Sequence, residues 1–203
     1  MSPLILTAVI FQNLMSSVYA VQTKVAAKSI PKAQWPITLW TFVFMNLAGI
    51  TIALSLGDVD FMSLFVPNIL ILYLINGFCF GVGTGALYYS YEKIDTAIVQ
   101  ILSTLRIPFI VLLSLLFLDQ SLSVLGFLGI ALVCLSVILV SNKPIKNKKI
   151  EYKAILLVVI VASMFAVGTI SQKLTLNEVN ISTLFAVSVP FEAVWVFVML
   201  KIY

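Results

Sequence analysis

Charged side chains are missing from five long stretches of this chain, and that pattern decides what it can fold into. Residues 1–23, 33–57, 61–91, 120–142 and 154–172 carry none, and two further blocks, 96–118 and 181–200, carry one each, Arg106 and Glu192. A hydrocarbon core of about 30 Å is crossed by about 20 residues at a rise of about 1.5 Å each, so every block is long enough to span. Helices of a soluble protein keep a polar face toward water; these blocks have none. Backbone groups inside lipid must be satisfied within the segment, which selects helices. The expectation is an all-α integral membrane protein, a bundle of about seven transmembrane helices, near 4–23, 36–56, 64–91, 96–118, 122–142, 154–172 and 181–201.

Hydrophobic residues make up 62% of the 203 and charged ones 10%, which leaves no room for a sizeable aqueous domain. The net charge of +4 sits on loop lysines and reads as a topology signal. No basic stripe with interleaved aromatics occurs, so no nucleic-acid partner is expected. Histidine is absent, which removes histidine-dependent zinc sites and histidine acid–base chemistry. Cys79 and Cys134 fall inside expected helices and read as small packing residues. Neither a metal nor a cofactor is expected. The opening Met-Ser-Pro-Leu lacks a basic n-region, so residues 4–23 are expected to stay as the first span and not to be cleaved as a signal peptide.

Pro36 suits the first turn of the second helix. Trp35, Trp40, Tyr88, Tyr89 and Tyr91 suit interfacial aromatic belts. Short connections at 57–60, 92–95 and 119–121 predict that sequential helices lie antiparallel and adjacent. Ten lysines (24, 28, 32, 93, 143, 146, 148, 149, 153 and 201) fall on one side of that zigzag, against Lys173 on the other with Asp58, Asp60, Asp119 and Glu178. The positive-inside bias places the Lys-rich loops in the cytoplasm, with the N-terminus outside and Tyr203 inside. A plasma (cytoplasmic) membrane is the expected location.

Shifting the chain by 149 residues lays Ile5–Lys24 over Ala154–Lys173 and pairs Met15 with Met164, Val18 with Val167 and Lys24 with Lys173. Five helices separate the copies, so the second enters from the opposite face as an inverted repeat. The expected organisation is a complete five-helix repeat over 1–142, a Lys-rich linker loop over 143–153, and the first two helices of a second, incomplete repeat over 154–203.

The stretch Asn76–Ser141 has a glycine-rich third helix running into Ala86-Leu87-Tyr88-Tyr89 and a short turn to Ala97. It continues with Pro108 in the fourth helix, Asp119 at its end, and Gly126 and Gly129 opening the fifth. In this order and spacing the chain resembles the EamA-like transporters of the drug/metabolite transporter (DMT) superfamily. The resemblance implies ten helices in two inverted five-helix repeats that move small solutes across a membrane, so three helices of the second copy are missing here. It also implies cytoplasmic termini, which the lysine distribution opposes at the N-terminus. Small multidrug members of the superfamily use a first-helix glutamate; this chain has Gln12 and Asn13 there, so that mechanism is not carried over.

Arg106 and Glu192 each lie about halfway along their blocks, where hydrocarbon accepts a charge at a cost of about 2.5–3.5 kcal/mol or more unless it faces the bundle interior or water. Arg106 reads as a binding group for an anionic or polar substrate, or as a structural cation near carbonyls freed by Pro108. Glu192 reads as a proton-coupling carboxylate, or as the partner that neutralises Arg106. Asn13, Asn46, Asn76 and Gln100 can line a solute path or hydrogen-bond a neighbouring helix. Asn13, Asn76, Gln100, Arg106 and Glu192 form the expected substrate path. Gly77, Gly81 and Gly85 repeat every four residues, a spacing that lets helix backbones approach closely.

These features favour a secondary transporter of a small organic solute or metabolite working by alternating access. No GxxxxGK[ST] phosphate loop occurs, so ATP is not the expected energy source. An intramembrane enzyme lacks candidates, with no histidine and with Asp58 and Asp60 in one loop. The rival is a non-transporting scaffold or a fragment that needs a partner chain, such as a second copy, to cover its open flank. The expected partners are thus the lipid bilayer, a small-molecule solute and a homo-oligomer.

Overall fold

A computed structural model describes residues 18, 21–26, 28–30, 33–56, 59–118, 121–141 and 152–202. Regular structure among them is helical: α1 (Gln34–Leu56), α2 (Pro67–Lys93), α3 (Thr96–Ser103), α4 (Arg106–Phe117), α5 (Val124–Ser141), α6 (Tyr152–Thr175) and α7 (Ile181–Ile202), with a 3-10 turn over Phe61–Phe65. Residues 21–26 are also helical, and the expected first span lies almost wholly outside the described residues. Five helical stretches are long and apolar enough to cross a membrane, namely Trp35–Ser55, Pro67–Lys93, Thr96–Phe117, Tyr152–Thr175 and Ile181–Ile202. A shorter apolar helix covers Val124–Leu139. Outward-facing Phe44, Leu54, Leu116, Leu125 and Phe127 are exposed; an apolar exterior of this extent is a lipid-contacting surface.

The fourth expected span is broken into α3 and α4. Pro108 has no N–H to give Thr104, and its ring crowds that carbonyl four residues back. The chain tightens there into three-residue bonds: Thr104 N donates to Ile101 O, Leu105 N to Leu102 O, and Ile107 N to Thr104 O at 2.9 Å.

Helices joined by the three short connections touch, as loop length led us to expect, but they are not each other's main neighbours. The extensive packing is α2 on α6, α1 on α7 and α2 on α7, whereas α6 and α7, joined by residues 176–180, scarcely touch. Short loops tie helix ends together but leave the axes free to splay. α1 and α7 run antiparallel: Gly49, late in α1, lies against Phe185, early in α7, and Trp35 and Phe42 share one core cluster with Val189 and Val196. Trp35, Tyr88 and Tyr91 are buried and Tyr89 is half-buried beneath Lys93, whereas Trp40, 61% exposed, stands at an outer surface as a belt residue would.

The two ends of the bundle are fastened differently. At one end the Asp60 N–H donates to Thr183 Oγ1 at 2.8 Å and the Thr183 N–H donates to Asn180 Oδ1, so the α1–α2 connection is seated on the start of α7. At the other, Lys24 Nζ donates to the Ile94 carbonyl and Gln100 Nε2 to Tyr91 Oη. Tyr91, Ile94, Val99 and Leu102 form a core cluster there with Ala154 and Val158 of α6.

Candidate functional site

α2 and α7 cross where neither has room for a side chain. A Cβ at Gly77 would lie 2.8 Å from the Phe191 carbonyl carbon, and one at Gly81 would lie 2.5 Å from the Glu192 carbonyl oxygen. Gly85, one turn on, faces the Trp35 ring, and Gly83 faces Phe165 of α6. The four-residue glycine spacing thus holds the α7 main chain against α2 and the Trp35 ring one turn further along.

Beside that crossing the helices part and leave a cavity of about 750 Å³. Its wall is built from four helix faces. α1 contributes Thr41, Phe42, Met45, Ala48 and Gly49, at spacings that keep them on one stripe. Phe80 and Thr84 of α2 are one turn apart, as are Ser188 and Glu192 of α7, and Gln172 comes from α6. Phe185 and Val189 complete the α7 stripe. Pro190 lies inside this helix two residues before Glu192 and leaves the Ala186 carbonyl without its ladder hydrogen bond.

Glu192 is 5% exposed and lies halfway along α7. Among the described residues it has neither an ion-pair nor a hydrogen-bond partner; the ion pair found there is Lys93 with Glu92 at 2.9 Å. The side chains of Thr84, Gln172 and Ser188 are likewise without hydrogen bonds among the described residues, whereas Thr41 Oγ1 donates back to the Ile37 carbonyl. A carboxylate and three polar side chains therefore meet in a mostly apolar, aromatic-walled space of the size that holds a small organic molecule.

The other expected path residues are dispersed. Arg106 is exposed at the start of α4, a helix that packs chiefly on α6 and α5, and it does not line the cavity. It neither faces the interior nor pairs with Glu192. Gln100 bonds Tyr91 at the far end of α2 and stands outside the cavity wall. Asn76 is 1% exposed, and both its amide atoms are buried with no partner among the described residues, one turn before Phe80. Asn46 turns its Nδ2 back to the Phe42 carbonyl at 2.9 Å. Asn13 lies outside the described residues. Thr41, Thr84, Gln172 and Ser188 escaped the sequence reading because single hydroxyls and amides in apolar runs are common. The signal was present in pairs: Phe80 with Thr84, and Ser188 with Glu192, each four residues apart.

Helices long and apolar enough to span, with a chamber between them about halfway along α7, define a multi-pass membrane protein with an internal cavity. Residues 3–142 match the model of the EamA-like transporter family, and the chain belongs to that family, membrane transporters of the drug/metabolite type. No curated protein and no solved structure matches the chain.

Proposed function

We propose that this protein is a secondary transporter that moves a small organic solute or metabolite by alternating access, with the α1–α2–α6–α7 cavity as the solute path. The observation that carries this reading is the roughly 750 Å³ chamber with Glu192 in its wall, halfway along its helix. Transport needs a site near the membrane midplane that two groups of helices can expose in turn. The organisation into a complete repeat over 1–142 and the start of an inverted one from 154 has support in the packing of α1 against α7. These are the second helices of the two copies, and they run antiparallel, as counterparts about an in-plane two-fold axis do. Lys24, Lys93 and Lys153 gather at one end of the bundle, with Lys201 at the matching end of α7. That end belongs in the cytoplasm by the lysine bias.

A cysteine at Ser188, in a background with Cys79 and Cys134 replaced by alanine, tests the path without knowledge of the solute. It should react with a small water-soluble methanethiosulfonate in native membranes, while a cysteine at outward-facing Leu132, midway along α5, should not. A Ser188 cysteine as inert as the Leu132 one would remove the cavity as a water-accessible route.

A further inference from the structure

We propose that the cavity selects organic cations, with Glu192 as the group that recognises the positive charge; this rests on the cavity being the solute path. An ionised carboxylate in an apolar interior is costly unless a cation accompanies it. Among the described residues no cation lies against Glu192. Residues 1–23, 33–57, 61–91, 120–142 and 154–172 contain no charged side chain, so neither the first span nor α1, α2, α5 or the body of α6 can bring one. Arg106, the one basic residue inside the remaining spans, is exposed on α4 away from α7. A cation that enters the chamber would supply the countercharge with which the Glu192 carboxylate can ionise there.

The rest of the wall fits such a guest. Phe42, Phe80 and Phe185 line the same space, and aromatic faces attract ammonium groups most strongly where water is excluded. Thr84, Gln172 and Ser188 offer oxygen acceptors not engaged by the described residues, suited to the N–H groups of a protonated amine. The ligand class that satisfies both halves of the wall is a monovalent ammonium carried on an apolar or aromatic body. Anions find one like charge and no basic side chain among the lining residues.

Three probes of matched size separate charge from fit: benzyltrimethylammonium, the net-neutral benzyldimethylamine N-oxide, and the anionic phenylmethanesulfonate. Binding to the purified full chain in nanodiscs is measured by titration calorimetry, and uptake by proteoliposomes. The ammonium should bind at least about 30-fold more tightly than the N-oxide, and the sulfonate least, from the cost of about 2 kcal/mol or more of breaking a buried charge pair. Glu192→Gln should abolish that preference while N-oxide binding persists, and Glu192→Asp should keep a reduced preference. Equal binding of ammonium and N-oxide, or a preference that survives Glu192→Gln, overturns the cation assignment and leaves the cavity as a solute path. Should Glu192→Gln not fold, the wild-type ranking alone decides. If no probe binds or crosses, the cation assignment fails, and the Ser188 cysteine result then tells whether the path fails with it.

Discussion

Main chain meets main chain where Gly81 faces Glu192, and that contact sets the tolerance of the site to change. A methyl group at Gly81 would sit 2.5 Å from a backbone oxygen, which cannot swing aside as a flexible side chain can. Gly81→Ala should lower unfolding stability in detergent by about 1–3 kcal/mol, the usual cost of overpacking. Gly129 in α5 has nothing within 4 Å of an added Cβ, so Gly129→Ala should be neutral or stabilise by up to about 1 kcal/mol. Equal effects in thermal melts would refute the close approach at Gly81. Arg106 makes the opposite case. Its depth in the sequence suggests an interior group, yet it is exposed on α4, and Arg106→Ala should insert normally and keep solute uptake near wild-type. Loss of uptake in a correctly inserted Arg106→Ala protein would return it to the solute path. Sequence depth exposes an expensive residue but not the direction in which its helix is turned, and that is why Arg106 and Glu192 looked alike.

At the scale of helices, existence was easy to read and partnership was not. Charge-free runs identify spans because no other structure satisfies their backbone in lipid. The partition of one such run into α3 and α4 was hidden, since Pro108 stands among residues as apolar as the rest. Pro108→Ala should restore an amide donor for the Thr104 carbonyl and slow hydrogen exchange across residues 104–108; unchanged exchange there would show that other packing, not the proline, maintains the break. The neighbours of each helix were less legible still. Gly77, Gly81 and Gly85 announce a close approach by their spacing, but not that Phe191, Glu192 and Trp35 would fill the gap. The cavity shares this difficulty, because its wall draws on residues more than 100 positions apart, as Thr41 and Ser188 are.

For the molecule as a whole, the structure brings some of the expected lysines to one end of the bundle. Lys24 reaches the Ile94 carbonyl, and Ala154, next to Lys153, packs in the same cluster as Ile94, so these lysines share one end. A cysteine at Lys146, a position outside the described residues, should then be labelled in intact cells by a membrane-permeant maleimide only. Prompt labelling by an impermeant reagent from outside would invert the proposed orientation.

Pro190 gives α7 a weak point between two anchored halves. The stretch before it is moored through Thr183 to Asp60, and the stretch after it through Trp195, whose indole donates to the Leu74 carbonyl at 3.2 Å. With the ladder bond to Ala186 gone, α7 resists bending less here than along the rest of its length. Ser188 and Glu192 sit on opposite sides of the joint, so a bend of a few degrees alters the distance between them before any whole helix has travelled.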